Sequence, residues 1–501
     1  MSGLDYGALV RGAAAELVLL AAALAVLGID RGALREAGLR VRWWVNGLVA
    51  ALGCAAAAAA LWLFRAEIDV GAVQGLWAVD ALTRWVKWVL LGLTLLTVGL
   101  SVRATRTRQV GEYLALVLLA AVGMLVLAGA EDLLLVFVAL ELTSLTLYVL
   151  VGFEKERPAA VEAALKYFLF GSVAAAFTLY GMSLLYGLTG TIRLREMAVV
   201  LGAEPVGLTL WTALVMVLVG LGFKVAAAPF HLWAPDAYEA APTPSAALVA
   251  SGSKVAAFFV LAKLLMVGWP QGTGSAVPGQ WVSGWAVVLA GLSVVSLLWG
   301  NLAALVQGNV RRLLAYSAVA HAGYAMLGVM ANSRIGLASL LYYVATYACS
   351  AVGAFGVVSV VEAHRRGAAR LEDFAGLSRH APEVAICLMI YLLSLAGIPP
   401  LAGFFGKFYV FVAALESGRP LGVLWLVAAA ILLSTVSLYY YLQVLKQAWV
   451  RAPEEVGSQR WHVPWEVRLT LWVTAGAVLV VGLFPSLVLR SLDKALTGSG
   501  F

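Results

Sequence analysis

Hydrophobic residues in this chain come in long continuous runs. They form neither the alternation of a half-buried strand nor the narrow stripe of a surface helix. A helix that crosses a bilayer needs about 20 mostly apolar residues. Fourteen such runs stand out, at 9–29, 43–64, 85–102, 113–130, 133–153, 159–186, 206–229, 244–267, 281–305, 313–330, 335–361, 381–415, 422–448 and 465–489. They are rich in Ala and Leu and lack the ten-residue alternation of barrel strands, so they predict helices. Asp5 and a lone Arg11 make a poor signal-peptide n-region, and thirteen further runs follow, so the first run is read as a retained helix. The pattern predicts an all-α polytopic membrane protein with about 14 transmembrane helices.

Composition agrees. The chain is 62% hydrophobic and 12% charged, against roughly 45–50% and about 25% in soluble domains. That excludes a soluble enzyme and a disordered chain. Cys54, Cys349 and Cys387 lie far apart in apolar runs, so neither a metal-cluster motif nor a disulfide framework is supported. The net charge of +7 is better read as loop charge than as a nucleic-acid surface. Nineteen basic residues fall in one set of loops, among them Arg103, Arg106, Arg311, Arg312, Arg366 and Arg379. Nine fall in the opposite set, including Arg65, Arg84 and Arg419. The richer set is expected to be cytoplasmic, which places both termini outside.

Six basic residues remain, and all are lysines inside runs: Lys87, Lys166, Lys224, Lys254, Lys263 and Lys407. Lysine is the chemically informative choice, because a buried ammonium can lose its proton whereas arginine stays charged. Lys87 and Lys263 lie near run ends and are expected to snorkel. Lys166, Lys224, Lys254 and Lys407 sit among apolar or small neighbours, where an ionisable group reads as functional. Glu141 is their candidate partner, since its run, 133–153, holds no basic residue. Glu16 and Glu162 are weaker candidates. Glu162 stands four residues before Lys166, so a local pair is equally open there.

Two runs carry prolines where a helix should break, at Gly222–Asp236 (with Pro229 and Pro235) and at Gly397–Lys407 (with Pro399 and Pro400). Inside a bilayer this is tolerated only where protein or cavity water meets the freed backbone. The breaks fall in runs 7 and 12, the fourth members of two five-helix sets, 4–8 and 9–13. Interrupted helices at matching places in two halves point to a transport site. Two inverted repeats follow as an expectation, with divisions 1–110 (three N-terminal helices), 111–268 (first half-channel), 269–450 (second half-channel) and 451–501 (helix 14). His321 lies mid-run and either relays protons or only hydrogen-bonds a neighbouring helix. His364, His380 and His462 read as solvated. No dinucleotide fingerprint or haem-type His spacing is present, so no cofactor and no metal are expected on this chain.

These residues carry a resemblance. The segments LELTSLTLYVLVGF (Leu140–Phe153), EAALKYFLFG (Glu162–Gly171), FKVAAAPFHLWAPDAYEAAPTP (Phe223–Pro244) and SLAGIPPLAGFFGK (Ser394–Lys407) resemble the antiporter-like membrane subunits of respiratory complex I, NADH-quinone oxidoreductase. The likeness covers nearly the whole chain and is closer to the N-type branch than to the L or M types. About a dozen residues after the last run agree with that. The resemblance implies that Glu141 pairs with Lys224 and that Lys166 and Lys254 are the lysines of helices 6 and 8. It puts His321 on the central axis and Lys407 at the outlet. Thr143 departs from the Gln often found there. NADH, flavin, iron–sulfur clusters and quinone are implied for other subunits. The implied partners are other membrane-arm subunits (antiporter-like M, small K and J), the lipid bilayer and protons, with no nucleic acid. A bacterial inner membrane is the expected site. An Mrp-type sodium/proton antiporter subunit and a non-transporting membrane scaffold are the alternatives.

Overall fold

The computed structural model describes residues 6–64, 76–104, 107–203, 207–365, 369–416, 423–452 and 460–499. Arg65, Arg106, Arg366 and Arg419 from the loop count, and Asp5, lie outside them; of Arg103 only the backbone is described.

A short α1 (Tyr6–Gly12) leads into α2 (Ala14–Arg31), α3 (Leu39–Leu63) and α4 (Ala81–Ala104). The next set is α5 (Val110–Gly129), α6 (Leu133–Val151), α7 (Pro158–Thr189), the connecting α8 (Leu194–Ala203), α9 (Leu208–Val225), α10 (Ala234–Ala240), α11 (Thr243–Ala250) and α12 (Gly252–Met266). A hairpin of β1 (Ser275–Val277) and β2 (Gln280–Val282), with Ala276 opposite Trp281, precedes α13 (Trp285–Leu305). Then come α14 (Val310–Met330), α15 (Arg334–His364), α16 (Leu377–His380), α17 (Pro382–Ala396), α18 (Ala402–Glu416), α19 (Leu424–Trp449), α20 (Trp465–Leu483) and α21 (Pro485–Thr497).

Among the described residues, twelve helical segments are long and apolar enough to cross a membrane. The two further expected spans are α2, whose 18 residues hold Glu16, Asp30 and Arg31, and the run split into α17 and α18. Residues 243–265 are buried throughout, and α14 and α15 are almost so, whereas only about a third of the apolar stretch of α7 is covered. The core is therefore α11–α12, α14 and α15, with α7 at the rim. Packing recurs along the chain. α5 lies on α6 and α12 as α13 lies on α14 and α19, and α7 lies on α9 as α15 lies on α17 and α18.

Both proline-bearing runs break as expected, and in the same way. α9 ends at Ala226 with φ 58°, its N–H turned back to the carbonyls of Gly222 and Phe223. α17 ends at Gly397 with φ 88°, its N–H turned back to Leu393 and Ser394. The left-handed residue closes each helix three residues or fewer before the first proline. A third interruption, at Ser251 between α11 and α12, was not expected. It has no proline, only the Ser-Gly-Ser of 251–253.

The outer helices hold two buried ionic clusters. Asp30 accepts from Arg42, from Asn46 Nδ2 at 2.7 Å and from the Gly111 N–H at 3.1 Å, tying α2 to α3 and α5. Lys87, expected to snorkel, is instead buried in an ion pair with Glu16 at 2.7 Å, beneath the Trp77 ring at 4.6 Å. Removing one partner of a buried pair leaves a charge uncompensated, at a cost of about 3–5 kcal/mol, while replacing both with apolar residues is close to neutral. Lys87→Met should therefore sharply lower the thermal stability of the purified complex, and Glu16→Leu/Lys87→Met should largely restore it.

Candidate proton-transfer axis

Glu141 lies midway along α6, whose start is capped by Asp132 accepting from the Leu135 N–H at 2.8 Å. Thr143 packs against Gly123 of α5, where an added Cβ would stand 2.5 Å from its hydroxyl. Lys224 lies on α9, two residues before the break. Both helices are brought close to α7 by glycines. A Cβ on Gly220 would sit 1.6 Å from Thr178 Oγ1, and one on Gly171 would sit 1.8 Å from the Tyr148 hydroxyl. The half-buried Glu141 and the buried Lys224 face one cavity of about 10 Å³, shared with Ser144, Tyr148 and Thr178. That is space for about one water. Lys224 Nζ has no hydrogen-bond partner among the described residues. The expected pair thus faces across a water-sized gap without direct contact.

The broken segment after Lys224 is held by polar and aromatic contacts. Trp233 donates from Nε1 to the Phe223 carbonyl at 3.1 Å and stacks on Tyr167 at 4.1 Å. Arg311 of α14 donates to the freed carbonyls of Tyr238 (2.8 Å) and Ala241, and pairs with Glu362 at 3.0 Å. Irregular backbone at membrane depth requires this kind of satisfaction.

Lys254, on α12, is buried and donates to the Ala318 carbonyl of α14 at 2.6 Å, with the Tyr347 ring 5.6 Å away. One turn further along α14, His321 shares hydrogen bonds with the Tyr343 hydroxyl through Nδ1 at 2.6 Å and with the Tyr441 hydroxyl through Nε2 at 3.2 Å. Its ring also lies 4.7 Å from Tyr347. Tyr441 is bonded in turn to Ser317. Lys407 is buried on α18 and donates to the Ala396 carbonyl at 2.9 Å and to Ser434 at 2.7 Å, with the Tyr324 ring at 4.8 Å. Asn301 bridges Tyr324 at 3.5 Å and Tyr440 at 3.2 Å. Lys254, His321 and Lys407 therefore stand along one lane of buried hydroxyls and rings. Among the described residues no side-chain hydrogen bond joins Lys224 to Lys254.

Lys166 does not lie on this axis. Its side chain is 42% exposed, paired with Glu162 at 2.7 Å and Asp236 at 2.8 Å. Asp236 also pairs with Arg312 at 2.7 Å, and Arg312 with Glu239 at 2.9 Å. The local pair and the cross-helix contact are thus both present. Lys263, like Lys87, does not snorkel. It is buried and donates to the Ala128 and Ala130 carbonyls at the end of α5, at 3.2 and 3.0 Å. Nor are all three loop histidines solvated. His462 is exposed, but His364 and the buried His380 each stack on Trp461, at 4.7 and 5.3 Å. Sequence reasoning missed Tyr343, Tyr347, Tyr441, Asn301 and Ser434. Tyr343 and Tyr347 are spaced by four on α15, a signal that also describes ordinary core packing. No group of three or more His, Cys, Asp or Glu side chains placed to hold a metal occurs among the described residues.

Residues 130–433 match the transmembrane family described as NADH:quinone oxidoreductase/Mrp antiporter. The chain is 46% identical to NADH-quinone oxidoreductase subunit N 2 of Acidobacterium capsulatum, over 98% of this chain and all of that protein. It is 37% identical to subunit N of Chloroflexus aggregans, over 85% of this chain and 86% of that one. Among solved structures it is similar to a chain of respiratory complex I from Thermus thermophilus with bound aureothin, at 35% identity and TM-score 0.77, covering 95% of this chain and 99% of that one. A chain of the Mrp complex from Dietzia sp. shares the fold, at TM-score 0.81 and 22% identity over 97% of both chains. The chain is a multi-pass membrane protein that belongs to the family of NADH-quinone oxidoreductase subunits N.

Proposed function

We propose that this chain translocates protons as a membrane-arm subunit of a respiratory NADH-quinone oxidoreductase, through Glu141, Lys224, Lys254, His321 and Lys407. The observation that carries the reading is the lane of buried rings and hydroxyls along which Lys254, His321 and Lys407 stand, with Tyr347 beside both Lys254 and His321 and Tyr324 beside both His321 and Lys407. The recurrent packing of α5–α12 and α13–α19 supports two half-channels, 111–268 and 269–450, flanked by 1–110 and 451–501.

A change in the neighbouring subunit alters the distance between Glu141 and Lys224. Withdrawing an anion from a buried ammonium favours loss of its proton. The proton passes by water to the lone pair of the Lys254 amine, and the ammonium so formed is held by the Ala318 carbonyl it already donates to. Transfer continues along the hydroxyls around His321 to Lys407, which releases it outward. Lys166, in its ion-pair cluster beside Arg312, serves the entrance and not the buried axis. Electron transfer from NADH through flavin and iron–sulfur clusters to quinone takes place on other subunits, and this chain carries no cofactor. Its partners are antiporter-like subunit M and small subunits such as K and J. It lies in the bacterial inner membrane with both termini outward.

Glu141→Ala in the reconstituted complex should abolish redox-driven proton translocation with the complex fully assembled; undiminished pumping would remove Glu141 from the path. Lys166→Met removes an exposed ion pair with Glu162 and a partly exposed one with Asp236, each worth about 1 kcal/mol. Its pumping rate, measured by a pH-sensitive dye in proteoliposomes, should stay within about fivefold of wild type.

A further inference from the structure

Lys407 lines a second, much larger space. Between α18 and α19 lies a fissure of about 350 Å³, walled by Phe404, Phe408, Phe411 and Ile431, with Ser434 and Thr435 beside the lysine. Phe408 is 48% and Ile431 53% exposed, so the fissure opens on the outer face of the helix bundle, while Lys407 at its floor is only 4% exposed. The lysine is met by a carbonyl and a hydroxyl, and no acidic side chain pairs with it among the described residues. A cation held in apolar surroundings without a counter-ion is poorly compensated. What complements the fissure is therefore an anion attached to a hydrocarbon tail.

We propose that this fissure binds a single-chain carboxylic acid, its carboxylate at the ammonium of Lys407 and its alkyl chain between the Phe404, Phe408 and Ile431 side chains. The volume is at the small end of ligand sites, so one acyl chain suits it and a two-chain phospholipid does not. Binding needs Lys407 as a resting ammonium, and so holds whether or not that lysine also passes protons during turnover.

The test is photolabelling of the intact, purified complex with a diazirine-bearing palmitic acid. Label is expected on peptides from Ala402–Glu416 and Leu424–Trp449. It should fall about tenfold in Ile431→Trp, which fills the mouth. On the wild-type complex, which needs no variant to fold, unlabelled palmitic acid should protect about tenfold better than hexadecanol. That is the scale of a lost hydrogen bond to a charged group. Equal protection by hexadecanol or by phosphatidylglycerol would overturn the proposal, as would labelling that is unchanged in Ile431→Trp or absent from both helices.

Discussion

A charge held in hydrocarbon must be met by protein, and this constraint orders the rest of the molecule. Each buried lysine meets it differently. Lys87 has a carboxylate, Glu16. Lys263 has the carbonyls that end α5. Lys254 has a carbonyl of α14, and Lys407 the Ala396 carbonyl that the break after α17 leaves free. Lys224 has only a small cavity, with Glu141 across it. The first two are closed sites that hold helices together. The last three are buried and have no carboxylate in direct contact among the described residues, and they stand beside cavities or aromatic rings.

The broken helices serve the same constraint. Stopping α9 and α17 in the interior frees carbonyls that a continuous helix would use itself. The Phe223 carbonyl of α9 accepts from Trp233, and Arg311 meets the carbonyls at the end of the short α10 that follows, which fixes the irregular segment. The Ala396 carbonyl of α17 accepts from Lys407. The ends of helices thus supply partial negative charge where a cation is to be held, without committing a carboxylate there.

Much of this was legible in the sequence because charge stands out against an apolar background. The runs gave the helices, the prolines gave both breaks, and Glu141 and Lys224 were visible as isolated ionisable groups in apolar surroundings. What the lysines touch was not legible. Backbone carbonyls such as those of Ala318, Ala128 and Ala396 have no sequence signature, so Lys263 read as a snorkelling residue. Tyr343 and Tyr441 look like core aromatics until a histidine is found between them. The exposure of Lys166 was hidden because a continuous apolar run does not say which side of α7 faces the bundle. The Ser251 interruption was missed because serine and glycine break a helix far less predictably than proline does.

The account depends on lysine acting as a carrier of protons and not only of charge. Lys254→Arg separates the two, since guanidinium keeps the charge and the hydrogen-bonding capacity but does not release its proton. The decisive measurement is the number of protons translocated per NADH oxidised by assembled Lys254→Arg complexes in proteoliposomes. The account predicts a loss as complete as in Lys254→Met. A wild-type ratio in the arginine variant, with Lys254→Met defective, would show that only the positive charge matters and would contradict it.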